Sequence, residues 1–259
     1  MPLPRIIAIT SGKGGVGKTT VSVNLSATLV NYFKKKVTII DANVTTPHLA
    51  LHFGIYKYDA TLNDVLRGRA DLSDASILHP SGIQIIPASL NLTDLVGVDI
   101  ATLGDVLKDM LPTEDFIIID SAPGFGKEAV SALKACEEAI IVSTPTVPAI
   151  MDAIKAKKVL QELGVENLGL VLNKVMGRKY ELKRSEITEL IDLPVLAEIP
   201  FDEKFQEALA AKMPLILYDR KSPTTLQFLE LASILTGEKY EMPRLSIWAR
   251  IRKLFWKFS

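Results

Sequence analysis

The feature that most constrains this chain is a recurrence of short, β-branched and nearly unbroken apolar runs, set apart by stretches of helical length. The runs cover residues 5–10, 37–41, 83–88, 116–120, 139–144, 168–173 and 195–200. A strand apolar on both faces has to be covered on both faces, so the runs predict a mostly parallel sheet with a helical layer on each side. Helix-like segments lie between them at 18–33, 101–111, 148–163, 180–191 and 203–211. Pro214 interrupts the alternation, and Ser222-Pro223 opens a last helix to about Leu235, with Ser222 as N-cap and Pro223 in the first turn. The expected fold is therefore a three-layer α/β sandwich, with ligands at the carboxyl ends of the strands. A length of 259 residues suits one such domain.

The first strand leads directly into Gly12-Lys13-Gly14-Gly15-Val16-Gly17-Lys18-Thr19. A glycine-rich turn between a strand and a helix, closed by Lys-Thr, has the form of a P-loop. Its backbone N–H groups converge on phosphate oxygens, and the helix N-terminus adds partial positive charge. Lys18 then reaches the outer phosphates of a nucleoside triphosphate, and the Thr19 hydroxyl ligates Mg²⁺. Asp120 ends the run Phe116-Ile117-Ile118-Ile119 at the strand edge where a carboxylate would hold that metal through water. Asp41 ends another run and precedes the polar loop Ala42-Asn43-Val44-Thr45-Thr46-Pro47, which faces the same edge. The P-loop places the predicted sandwich in the P-loop NTPase class.

Charge and cysteine content narrow the choice further. Lys and Arg number 30, as do Asp and Glu. Arg244, Arg250, Arg252, Lys253 and Lys257 all follow residue 243, where no acid occurs, leaving 30 − 5 = 25 basic residues against 30 acidic ones in the body. That asymmetry speaks against a general nucleic-acid surface and marks the tail as the charged partner site. One cysteine, Cys136, excludes an internal disulfide and a multi-cysteine metal site within one chain. His48, His52 and His79 lack a well-placed third ligand and read as ordinary polar residues. The N-terminus lacks the pattern of a secretory signal, and no apolar run approaches the ~18 residues that span a bilayer. The expected location is the cytoplasm.

The tail is compositionally separate, which divides the chain into a body at 1–237, a linker at 238–244 and a helix at 245–259. At roughly 100° per residue, Ile247, Trp248, Ile251, Leu254, Phe255 and Phe258 fall within an arc of about 120°. Arg250, Lys253 and Lys257 lie opposite, and Arg252 borders the arc where its long side chain can reach headgroups. A short helix with one basic and one bulky apolar face lies in the membrane interface rather than crossing it. Its basic residues contribute on the order of 1 kcal/mol each near an anionic leaflet. Two such tails held together would strengthen attachment by ~100-fold or more through effective concentration.

The run Ser11 to Thr20 resembles the deviant P-loop of the MinD/ParA family, which carries a second lysine near the loop's start, here Lys13. The resemblance continues through Asp41, Asp120-Ser121-Ala122-Pro123-Gly124, Leu172-Asn173-Lys174 and Ile199-Pro200-Phe201-Asp202, and looks most like archaeal-type MinD. It implies ATP and ADP as ligands with Mg²⁺, and a homodimer in which Lys13 crosses to the partner subunit's nucleotide. The ligand shell would then be Gly12 to Thr20 with Asn173 and Pro200 at the base, the metal shell Thr19, Asp41 and Asp120, and the catalytic group Lys13, Lys18, Asp41 and Asn43. It further implies attachment to the inner face of the cell membrane and positioning of division or other surface machinery through an unidentified protein partner. A ParA-type protein on nonspecific DNA is the alternative, with Lys174, Arg178, Lys179, Lys183 and Arg184 as its basic patch. Many MinD relatives have Asp-x-Asp where this chain has Asp41-Ala42-Asn43. An amide orients water but is no base at neutral pH, so hydrolysis is expected to be slow.

Overall fold

A computed structural model describes residues 3–108 and 114–240. Eight strands form one sheet: β1 (Arg5–Thr10), β2 (Val37–Asp41), β3 (Ile77–Leu78), β4 (Gln84–Ile86), β5 (Phe116–Asp120), β6 (Glu138–Ser143), β7 (Glu166–Val175) and β8 (Val195–Pro200). Their order across the sheet is β3-β4-β2-β5-β1-β6-β7-β8, parallel throughout except for the antiparallel β3–β4 pair. The helices are α1 (Lys18–Phe33), α2 (Leu62–Leu66), α3 (Leu72–Ala75), α4 (Leu103–Lys108), α5 (Lys127–Lys134), α6 (Val147–Leu163), α7 (Arg184–Ile191), α8 (Lys204–Ala210), α9 (Leu215–Tyr218) and α10 (Pro223–Thr236).

Strand alternation produces two cores. Ile7, Ile9, Ile39, Ile118, Ile140 and Val142 point to one face and pack with residues of α1 and α10. Their neighbours Ile6, Ala8, Ile40, Ile117, Ile119 and Ile141 point to the other, among residues of α5, α6 and α7. Both sets are buried, which is why the sequence shows continuous apolar runs. Each fully buried isoleucine contributes about 1.5–3 kcal/mol relative to exposure.

Several boundaries differ from expectation. The helix predicted over 101–111 opens as a short 3₁₀ turn at Ile100–Thr102 followed by α4, because Asp99 caps the turn through the Ala101 N–H, and its residues 109–111 lie outside the described residues. The helix predicted from Tyr180 begins at Arg184. Glu181 instead accepts the N–H groups of Met176 and Arg178, which holds 176–181 as a loop. The last helix starts as expected: the Ser222 Oγ accepts the Thr225 N–H at 3.0 Å, Pro223 is in the first turn, and Gly237 closes the helix at φ 70°. Beyond it Tyr240 packs on Tyr32 and Phe33 at the far end of α1, and Lys35 pairs with Glu238. The membrane-facing residues assigned to 245–259 lie outside the described residues.

Candidate functional site

The carboxyl ends of β1, β2, β5, β7 and β8 form the edge on which the assigned residues sit. From Thr10 the chain turns through residues 11–17 and enters α1 at Lys18. Gly15 and Gly17 adopt φ of 80° and 94°, left-handed values that a Cβ strains. A Cβ on Gly17 would also collide with the Asn173 Nδ2, and one on Gly12 with the backbone of Asp152 on α6. Gly17 is therefore fixed by both close packing and backbone angle, Gly12 by packing and Gly15 by angle. Val16 is buried, Gly14 and Gly15 are exposed, and Thr19 and Thr20 are half-buried at the helix start.

Lys18 opens α1 and is only 8% exposed. Burial lowers the pKa of its ammonium, while the Asp120 carboxylate opposes that shift. Asp120 takes the Ser22 hydroxyl at 2.9 Å and the Thr19 hydroxyl. Its carboxyl is pushed up by burial and held back by Thr19, Lys18 and Ser22. Asp41 stands at the same register on the neighbouring strand. Burial and then the Asp120 charge push its carboxyl well above the usual range, against the N–H groups of Leu49, Asn43 and His48. Those three bonds measure 3.0, 3.2 and 3.2 Å and fold the loop after β2 around the carboxylate.

Two desolvated carboxylates at adjacent strand ends are short of positive charge: Lys18 opposes the shift at Asp120, while Asp41 is held by backbone N–H groups alone. The residues fit Mg²⁺: Thr19 supplies a hydroxyl oxygen, and Asp120 and Asp41 supply carboxylates behind it. Among the described residues no three acidic, histidine or cysteine side chains gather as a cation cage. Such a shell suits a metal held jointly with substrate phosphates.

The other assigned residues take more specific positions. The Asn173 Nδ2 donates to the Val16 carbonyl at 2.8 Å, and its Oδ1 accepts the Lys174 N–H. Lys174, at a positive φ of 58°, donates its ammonium to the Gly15 carbonyl at 2.8 Å. The end of β7 thus clamps the P-loop from the side. Pro200 ends β8 opposite Val175, where the Phe201 N–H donates to the Val175 carbonyl and leaves the Phe201 ring 55% exposed. The Asn43 Nδ2 donates to the Thr46 carbonyl at 2.8 Å, and its Oδ1 accepts the Thr46 N–H and hydroxyl. Lys13 is half-buried, and its ammonium meets no hydrogen-bond or ion-pair partner among the described residues. Of the basic patch, Lys174 is committed to Gly15 and Arg184 to Glu198 and the Val195 carbonyl.

Ser22 escaped the sequence reading, and Lys174 was read as part of a basic patch rather than as a clamp on the P-loop. Ser22 lies one helical turn after Lys18, a spacing that puts both side chains on one face and was the available signal. Lys174 could be recognised only once β7 was seen against the P-loop.

This fold and site define a P-loop NTPase. The ParA family model, described as NUBPL iron-transfer P-loop NTPase, matches residues 3–236, and the chain belongs to that family. An uncharacterized ATP-binding protein of Methanocaldococcus jannaschii is 37% identical over 235 residues, 91% of this chain and 89% of the relative. The septum site-determining protein MinD of Thermotoga maritima is 31% identical across 90% of this chain and 88% of its own. The structure of Pyrococcus horikoshii MinD with Mg-ADP superposes with a TM-score of 0.86 at 34% identity, covering 90% and 96% of the two chains. The chain is thus a P-loop NTPase of MinD/ParA type. The cysteine inventory does not extend the iron-transfer description to this chain: Cys136 is buried, burial pushes its thiol pKa up, and its Sγ–H donates to the Ala132 carbonyl.

Proposed function

We propose that this protein is a MinD-like ATP switch that dimerises when it holds ATP and Mg²⁺, attaches to an anionic membrane surface through residues 245–259, and positions division or other surface machinery. The observation that carries the reading is the P-loop, with Lys18 buried beside Asp120 while Lys13 has no partner among the described residues. Two cations near one phosphate chain are useful only if both meet phosphate. Lys18 is placed to do so from within, and Lys13 is available to a second subunit's nucleotide. Thr19, Asp41 and Asp120 would hold Mg²⁺, which supplies charge neutralisation for the transferring phosphoryl group. Lys18 places the terminal phosphate, the loop N–H groups orient the chain of phosphates, and Asp41 fixes the loop that borders them. Turnover is slow in this reading, because Asn43 offers an amide where a base would act and that amide is bonded to Thr46.

The location is the inner face of the membrane, reached reversibly from the cytoplasm. No helix of the described residues is long and apolar enough to cross a membrane. A DNA matrix is less well supported, since Lys174 and Arg184 are engaged within the body.

Co-sedimentation with anionic vesicles tests the proposal, using the full chain and a version ending at Met242, each with ATP and with ADP. The full chain is expected to pellet with ATP, to attach ~100-fold more weakly with ADP, and the shortened one to remain in solution with either nucleotide. Equal binding by both would remove the tail from the mechanism, and an ATP-dependent DNA shift without vesicle binding would favour the DNA reading.

A further inference from the structure

The loop after β2 is fastened to a second element. Thr45 donates both its backbone N–H and its hydroxyl to the Glu128 carboxylate, at 3.0 and 2.8 Å. Glu128 lies in the first turn of α5, the helix that follows the loop after β5. Asp120 joins the same two segments at their roots, where its carbonyl accepts the Ala42 N–H at 3.0 Å. The loops bordering the metal position are therefore tied at their bases and again about one loop-length away. Thr45 is exposed, so nothing in the core requires the second tie. While it is made, residues 43–46 form a closed turn in which both polar atoms of the Asn43 amide are bonded to Thr46.

We propose that the Thr45–Glu128 clasp is a brake on hydrolysis: it parks the loop after β2 on α5 with the Asn43 amide occupied, and turnover requires its release. The inference rests on the ATPase reading above. Glu128 and Thr45 act through loop position and are positioning residues, with no contact to nucleotide claimed for either. A two-point bond to a carboxylate is stronger than a neutral one, so the parked form dominates at rest. Where the competent form is the minor one, its population and the rate that depends on it rise by the factor by which the parked form is weakened. Losing one charge-assisted bond corresponds to about tenfold.

Single-turnover release of phosphate from ATP, with Mg²⁺, tests this in the full chain. Glu128→Gln and Thr45→Val are each expected to speed the step, by about tenfold for the former and less for the latter, which retains the N–H bond. Thr45→Ser keeps the hydroxyl and is expected to behave as the parent. The double variant should be no faster than Glu128→Gln alone. Affinity for a fluorescent ATP analogue should stay within about twofold of the parent, and amide hydrogen exchange at 43–46 should rise, a combination that loss of folding would not produce. Unchanged or slower turnover in Glu128→Gln with ATP binding intact overturns the clasp and leaves the ATPase reading standing. A parent that binds no ATP overturns both.

Discussion

At Asn43 an amide stands two residues beyond Asp41, in a loop whose other end is also held by Asp41. Its Nδ2 donates to the Thr46 carbonyl, which a carboxylate cannot do. Asn43→Asp therefore exchanges an attractive contact for repulsion, opens the turn and introduces a group able to accept a proton. Single-turnover hydrolysis is expected to rise at least about tenfold, a small part of what a positioned base can supply. Brisk hydrolysis by the parent, unimproved in the variant, would refute the slow-turnover reading. The identities of Lys18, Thr19, Asp41 and Asp120 were legible because each sits at a strand end or helix start. Glu128 was not, since an isolated glutamate on a helix carries no sign of what it meets across the sheet edge, and Ser22 showed only its one-turn spacing from Lys18.

Among elements, the 3₁₀ turn Leu49–Phe53 follows the loop after β2 and carries His52 half-buried beside His48. Burial, and then the neighbouring imidazole, push the His52 pKa down to about 4. A depressed histidine is neutral in the folded chain and takes up a proton more readily when unfolded, so the fold loses stability as pH falls from about 6.5 toward 4. Between about pH 7 and pH 5 the loss is on the order of 2 kcal/mol. Urea unfolding at the two pH values should show His52→Gln with a clearly smaller change than the parent, and equal changes would exclude His52 as the source. Helix α1, both main site loops and α10 were legible from period, glycine spacing and caps. The two-residue β3 and the four- and five-residue helices α3 and α2 were not, because elements so short show no period. The latter two do carry Asp71…Asp74 and Thr61…Asp64 capping boxes, a signal that period alone overlooks.

For the molecule as a whole, the site edge and the departure point of the tail lie at opposite ends of α1: Lys18 opens the helix at the P-loop, and Phe33 at its far end packs on Tyr240. A subunit interface across the P-loop edge would thus leave that end of each body free for lipid. Lys13→Ala removes the P-loop ammonium that finds no partner among the described residues while leaving Lys18 in place. Light scattering after size exclusion should show the parent as a dimer with ATP and Lys13→Ala as a monomer that still binds nucleotide, and a persistent dimer would place the contact elsewhere. What the amino-acid sequence determined by itself was the phosphate loop and the layered class of the fold. Phosphate capture uses the N–H groups of consecutive residues, and a doubly covered strand declares itself by its own apolar run. Only the tertiary structure decided which strand ends meet. The order β3-β4-β2-β5-β1-β6-β7-β8 puts Asp41 beside Asp120, Thr45 against Glu128, and Asn173 and Lys174 against Val16 and Gly15. Those contacts depend on strand order and register, which are set by how helices of a given length pack across the sheet and leave no local trace in the chain.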